Sequence, residues 1–85
     1  MDINKTLEER GARYGSFQVH SAICQNIKAA MRVGNWDTLL PAQKQALEVI
    51  ADKIARILSG DPLYGDNWHD IQGYARLVEE ILTGD

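Results

Sequence analysis

The sequence has one cysteine, two prolines and no long apolar run, and each of these absences excludes a class of protein. Cys24 has no second cysteine to pair with, so the chain forms no internal disulfide and no zinc site of two or four thiolates. This cysteine usage favours a reducing environment. The apolar runs are two or three residues long, far short of the roughly 20 that span a bilayer, and no signal peptide is recognisable. We therefore expect a cytoplasmic protein with no membrane partner.

The chain is also poor in aromatic residues, at 7%, and it carries a net charge of −3. An acidic protein lacks the basic face that general nucleic-acid binding requires. Residues 1–40 carry a net charge of +1 and residues 41–85 a net charge of −4. A chain of this length folds to about 5,000 Å² of surface around one thin core. We expect a single domain over residues 1–85, with any carboxylate chemistry in its second half.

Hydrophobic residues recur at spacings of three and four, and the alternation typical of strands is missing, which predicts an all-α protein. A short helix is predicted to begin at Thr6, which forms a capping box with Glu9, and to be stopped by Gly11 and Gly15. Three long helices are predicted over residues 16–32, 41–59 and 66–83. Three long helices with short links predict a compact antiparallel bundle.

Apolar stripes on the long helices indicate the core. The stripe of the second long helix is Leu47, Ile50, Ala51, Ile54, Ile57 and Leu58, and that of the third is Trp68, Ile71, Tyr74, Ala75, Val78 and Leu82. Leu77 and Ile81 fall outside the stripe, so the chain has spare apolar surface and is predicted to self-associate. Gly73 lies mid-helix, where glycine costs about 1 kcal/mol relative to alanine, which suggests a close approach to the backbone there.

Acidic side chains recur one helical turn apart in the second half of the chain. Glu48 and Asp52 form one such pair, and Asp66 and Asp70 form another. Two antiparallel helices can present both pairs toward one another, and oxygen-only clusters of this kind suit Mg²⁺. The alternative is that the acids form a solvated surface, with Asp66 acting only as a helix cap.

Basic and aromatic residues near these acids suggest a phosphate ligand. Lys53 and Arg56 lie on the same helix and could hold phosphate groups, although Arg56 can instead form an i,i+4 ion pair with Asp52. His20, on the apolar stripe of the first long helix, is either a hydrogen-bonded core residue or an acid–base group. Residues 10–14 contain two arginines and a tyrosine, which either grip a phosphate or base or cap helices.

Three segments together resemble a known family. They are Tyr14-Gly15 followed by His20, Lys53-Ile-Ala-Arg56, and Asp66-x-Trp-x-Asp70-Ile-x-Gly73-Tyr74-Ala75. This combination resembles a group of small phage and prophage proteins that are distantly similar to the all-α nucleoside triphosphate pyrophosphatases of the MazG and dimeric dUTPase type. The resemblance covers residues 44–82 and, more weakly, residues 8–20.

The resemblance implies an α-helical bundle that assembles as a homodimer or homotetramer, with Mg²⁺-dependent binding or hydrolysis of a nucleoside triphosphate at the α–β phosphate bond. The roles that it implies are metal binding by Asp66, Asp70 and Glu48, phosphate binding by Lys53 and Arg56, and a nucleotide pocket at Tyr14 and His20.

The sequence departs from this class on its first long helix. Full pyrophosphatases of the class carry E-x-x-E on one helix and E-x-x-D on another, whereas residues 17–32 contain no acidic residue. Enzymatic activity is therefore a separate question from fold. The alternative is a non-enzymatic phage accessory module whose acidic second half binds a host protein. An enzyme requires Asp66, Asp70 and Lys53 or Arg56 to converge on one cleft, and an interaction module does not.

Overall fold

The computed structural model describes residues 2–84, and most of them are helical. The α-helices are α1 (Ile3–Tyr14), α2 (Phe17–Met31), α3 (Pro41–Ser59) and α4 (Gly65–Thr83), and a single 3-10 turn at Trp36–Thr38 separates α2 from α3. Residues 2–84 contain no strand, which confirms the predicted all-α class. None of the helices in this range has both the length and the apolar character that crossing a membrane requires.

The three long helices begin where the sequence predicts because local signals define their starts. Ser16 caps α2 by accepting a hydrogen bond from the Val19 amide at 3.4 Å. Pro41 occupies the first position of α3, where its missing N–H is not needed. The prediction for α1 is wrong at its start and for Gly11. Its first residue is Ile3, because Asp2 accepts from the Asn4 amide at 3.0 Å. Gly11 lies inside the helix, whereas Gly15 ends it as predicted.

α3 is the central helix, and α2 and α4 both pack extensively against it while contacting each other little. Ion pairs show the directions of the neighbours. Arg32, near the end of α2, pairs with Glu48 on the first half of α3, whereas Lys53, further along α3, pairs with Asp70 near the start of α4. Neighbouring helices are therefore antiparallel, as predicted. α2 and α4 pack against α3 but hardly against each other.

The buried apolar core consists mainly of small side chains, namely Cys24, Trp36, Ala46, Ala51 and Ala55. Several larger residues assigned to the core by their spacing are exposed. Leu58 is an example on α3, and on α4 Trp68 is 54% exposed and donates its indole N–H to the Pro62 carbonyl at 3.4 Å. α4 is rotated relative to the predicted stripe. The side that carries Asn67 faces the interior, so Asn67 is buried in place of Trp68, and Asp70, almost one turn further along that side, pairs with Lys53 of α3.

The end of α1 approaches the end of α3 closely at two glycines, Gly15 and Gly60. Gly15 has a φ of 77°, and a Cβ added there would overlap the carbonyl oxygen of Ser59. The Ser59 hydroxyl donates to the Tyr14 carbonyl at 2.8 Å, and the Asp61 amide donates to the Arg13 carbonyl at 2.9 Å. The rest of α1 contributes no buried residue, so this crossing is the main attachment of α1 to the fold.

Candidate functional site

A pocket of about 350 Å³ opens between α1, the start of α2 and the second half of α3. Its wall includes Leu7, Arg10, Tyr14, Phe17, His20 and Arg56. Guanidinium groups suit phosphate oxygens, and aromatic rings suit the faces of planar groups. The composition of this pocket therefore suits an anionic ligand that carries an aromatic ring.

Arg56 is fixed in the pocket wall from two sides. Its guanidinium carbon lies 4.6 Å from the centre of the Tyr14 ring, within the range of a cation–π contact. Its Nε lies 2.9 Å from Asp52 Oδ2. The two groups form an ion pair, but their orientation is not that of a hydrogen bond. Arg10 approaches the same tyrosine ring, at 5.3 Å. Both arginines of the pocket therefore contact the ring of Tyr14.

Asp52 joins two walls of the pocket. Its Oδ1 lies 2.8 Å from His20 Nε2 on α2, and its Oδ2 pairs with Arg56 one turn further along α3. The predicted i,i+4 ion pair of Asp52 with Arg56 is thereby confirmed. The thiol of Cys24 approaches the same carboxylate at 4.0 Å. Because Asp52 compensates Arg56, the positive charge of Arg10 is left to attract an anion.

A second polar cluster lies next to the pocket, at the start of α4. Tyr64 donates its hydroxyl proton to Asp66 Oδ2 at 2.8 Å and accepts from Arg13 Nη1 at 3.4 Å. The Arg13 guanidinium lies 4.7 Å from the centre of the Tyr64 ring. The hydrogen bond to Asp66 is the main cause that raises the pKa of Tyr64 above its ordinary 10.0, and desolvation adds to it. Edge-on contact of the Tyr64 ring with Tyr14 at 6.2 Å connects the cluster to the pocket wall.

The three carboxylates predicted to hold metal have separate partners. Glu48 pairs with Arg32 at 3.5 Å, Asp70 pairs with Lys53 at 2.9 Å, and Asp66 accepts from Tyr64. Glu48 therefore faces α2, whereas Asp70 packs toward α3 from the other side. Within residues 2–84 no three His, Cys, Asp or Glu side chains gather into a group that could hold a metal ion. Asp66 and Asp70 remain one turn apart on α4.

The two cationic side chains predicted to bind phosphate contact different neighbouring helices. Lys53 pairs with α4 through Asp70, whereas Arg56 contacts Tyr14 of α1 and lies in the pocket wall with His20. The structure thus brings together Tyr14, His20 and Arg56 and separates Lys53 from them.

The sequence signals only part of this site. It leaves Arg10 open between a ligand contact and a helix cap, and Phe17, whose spacing places it on the apolar stripe of the first long helix, has a largely exposed side chain beside the pocket. The contact of Asp52 with His20 joins residues 32 positions apart, and no motif in the sequence connects them.

Comparison of the chain with protein-family models, with curated proteins and with solved structures finds no match in any of the three.

Proposed function

We propose that this chain is a cytoplasmic prophage-type protein, related to the MazG-like nucleotide pyrophosphohydrolases, that binds a nucleoside triphosphate in the pocket between α1, α2 and α3. One observation carries the proposal: Arg10, Tyr14, His20 and Arg56 line one pocket, in which Asp52 compensates the charge of Arg56 and leaves that of Arg10 to attract an anion. Arginine binds phosphate oxygens in a bidentate manner, and aromatic rings stack on nucleobases.

The proposal includes Mg²⁺, which would bind together with the nucleotide. The ion takes one or two protein carboxylates when phosphate oxygens and waters complete its shell. The proposal assigns it to Asp66, whose partner Tyr64 contacts Tyr14 of the pocket wall, and to Asp70, which would have to leave its ion pair with Lys53. Glu48 belongs to a different side of α3, where it pairs with Arg32. Because one chain does not assemble all three carboxylates, the proposal assigns binding to the pocket and leaves hydrolysis of the α–β phosphate bond to a direct assay.

We further propose that the functional unit is a homo-oligomer, a dimer or a tetramer. The observation that supports it is the exposed apolar side of α4, where Leu77 is 58% and Ile81 is 56% exposed.

A second candidate function is a non-enzymatic phage accessory module that binds a host protein. The observation that favours it is an open groove of about 660 Å³ between the start of α3 and the end of α4, whose surface is largely apolar. On this reading the groove receives a segment of the host protein, and the nucleotide pocket has no ligand.

Calorimetric titration with each deoxynucleoside triphosphate, with and without Mg²⁺, tests the proposal. We expect micromolar binding that weakens about tenfold in Arg10→Ala, because one charge-assisted phosphate contact contributes about 1.5 kcal/mol. Arg76→Ala is the matched control, since Arg76 is an exposed arginine on α4 that pairs with Glu80. Absence of binding for every nucleotide overturns the proposal, and capture of a host protein in its place supports the accessory module.

Release of pyrophosphate, measured in the same samples, tests the enzymatic part. If the Asp66–Asp70 pair holds Mg²⁺, Asp70→Asn lowers the Mg²⁺ dependence of both binding and turnover. Asp37→Asn is the control, since Asp37 is an exposed acid in the 3-10 turn. Nucleotide binding without turnover leaves a binding protein and removes hydrolysis from the proposal.

A further inference from the structure

Asp52 lies behind the pocket and contacts two of the residues that line it. Its Oδ1 is 2.8 Å from His20 Nε2, and its Oδ2 is 2.9 Å from Arg56 Nε. His20 and Arg56 belong to the pocket wall, whereas Asp52 does not. The side chain of His20 is 12% exposed and that of Asp52 is 31% exposed. Asp52 therefore acts on a ligand in the pocket through these two neighbours.

The contact with Asp52 determines which nitrogen of the His20 ring carries a proton. An ionised carboxylate accepts hydrogen bonds and donates none, so Nε2 is the donor in this contact. In the neutral ring the other nitrogen, Nδ1, then carries a lone pair and no proton. Nδ1 has no hydrogen-bond partner within residues 2–84. A second proton on this ring therefore goes to Nδ1, where it converts an acceptor, which repels phosphate oxygens, into a donor.

The charged and titratable groups that contact His20 or share its pocket include one carboxylate within residues 2–84. They are Asp52 and Arg56 from α3, Arg10 and Tyr14 from α1, and Cys24 from α2 itself, whose thiol approaches Asp52. When His20 is neutral, Asp52 compensates Arg56 alone. When His20 is protonated, Asp52 is shared between two cations and the pocket gains a positive charge. Burial makes an uncompensated charge costly, whereas a bound anion stabilises it.

We propose that binding of the triphosphate in this pocket takes up one proton from solvent at His20 Nδ1, and that Asp52 is the positioning residue that keeps Nδ1 available for it. This inference rests on the nucleotide proposed above as the ligand. The protonated Nδ1 donates to a phosphate oxygen while Nε2 continues to donate to Asp52. Because the ligand and the proton stabilise each other, binding tightens as the pH falls. Where one full proton is taken up, the dissociation constant changes about tenfold per pH unit.

Calorimetric titration in buffers of different ionisation enthalpy counts the protons taken up on binding. The probe is the deoxynucleoside triphosphate that binds most tightly in the titration above. A terminal phosphate changes its own protonation at about pH 6, so the count is compared between proteins at the same pH. His20→Gln retains an N–H donor for Asp52 but takes up no proton. His69→Gln is the matched control, since His69 is the second of the two histidines and is exposed on α4.

Between about pH 6 and 8 we expect the wild type and His69→Gln to take up equal numbers of protons and His20→Gln to take up fewer, by as much as one. The affinity of His20→Gln should also depend less on pH. Nucleotide binding with equal proton uptake in all three proteins overturns this inference and leaves the nucleotide site standing. Absence of binding for every nucleotide overturns both.

Asp52→Asn tests the positioning role, because asparagine has a similar shape but no charge. We expect the pH range over which binding tightens to move to lower pH by about one unit or more, since an opposite charge this close favours the protonated ring. At high pH, where His20 is neutral, the anion should bind at least as tightly as to the wild type, because a negative charge near the pocket is gone. A purely structural role of Asp52 predicts weaker binding at every pH with no shift of the profile, and that result overturns the positioning role.

Nitrogen chemical shifts of the His20 ring provide a test that needs no ligand. We expect the neutral ring to carry its proton on Nε2 in the wild type, and the two tautomers to be mixed in Asp52→Asn. His20→Gln serves as the blank that assigns the signals, since only His69 then remains. A wild-type ring with its proton on Nδ1 overturns the role of Asp52 whether or not a nucleotide binds.

Discussion

The backbone of Gly60 crosses directly over that of Tyr14, so closely that a Cβ on Gly60 would overlap the Tyr14 Cα. The amide of the next residue, Asp61, donates to the Arg13 carbonyl at 2.9 Å and fixes the crossing. Tyr14 thereby lies against α3, where its ring contacts Arg56. The position of the pocket's main aromatic surface thus depends on a glycine far away in the sequence.

We expect Gly60→Ala to lower the free energy of unfolding by at least about 2 kcal/mol, because the added methyl group forces the two backbones apart. Gly11→Ala is the matched control. An added Cβ there meets nothing within 4 Å, so alanine should stabilise α1 by up to about 1 kcal/mol. Urea unfolding followed by circular dichroism measures both. Equal stability of the two variants would show that the crossing does not restrain α1.

The His20–Asp52 contact should appear as a coupling energy. In a double-mutant cycle of His20→Ala and Asp52→Ala, we expect about 0.5–1 kcal/mol of interaction in the free energy of unfolding, since both groups are only partly exposed. The exposed Arg76–Glu80 pair on α4 is the comparison, for which about 0.3 kcal/mol is expected. Additive single effects at His20 and Asp52 would contradict the role of Asp52 as the connection between α2 and α3.

The raised pKa of Tyr64 predicts a late step in an alkaline titration. Its hydroxyl donates to Asp66, so the neutral phenol is favoured in the folded chain and ionises at a higher pH than the unfolded value of 10.0. The corresponding stability is fully present below pH 10.0 and is lost as the pH rises through the folded pKa. Phenolate absorbance should show this step, and Asp66→Asn should move it to lower pH. A step that does not respond to Asp66→Asn would contradict the assignment.

Gly73→Leu should raise the stability of α4. Leucine is a better helix former than glycine by roughly 0.8–1 kcal/mol, and the chain leaves space for it. At high dilution we therefore expect the variant to melt above the wild type. A lower melting temperature of the variant would contradict the open space at this position.

The sequence was sufficient to locate the long helices, because their starts and ends depend on local chemistry. Ser16 caps the start of α2, and Pro41 suits only the first turn of α3. Gly60 interrupts the apolar spacing of α3 and marks its end. Gly15 ends α1 as predicted, whereas Gly11 lies inside the helix, since one glycine in a helix interior costs only about 1 kcal/mol.

The core and the pocket could be predicted only in part, because they depend on contacts between helices. Spacing marks an apolar stripe but not the rotation of the helix that carries it, and α4 buries Asn67 while it exposes Trp68. Tyr14, His20 and Arg56 line one pocket, whereas Glu48 pairs with Arg32 and Lys53 pairs with Asp70 outside it.

The central claim is that a nucleotide binds between α1, α2 and α3, and the most direct measurement is a map of amide chemical shifts during titration with a deoxynucleoside triphosphate and Mg²⁺. We predict saturable shifts at residues 10–20 and 52–56, around the contact of Tyr14 with Arg56, and small shifts along the outer face of α4. Shifts confined to the groove between α3 and α4, or no shifts at millimolar nucleotide, would contradict the account.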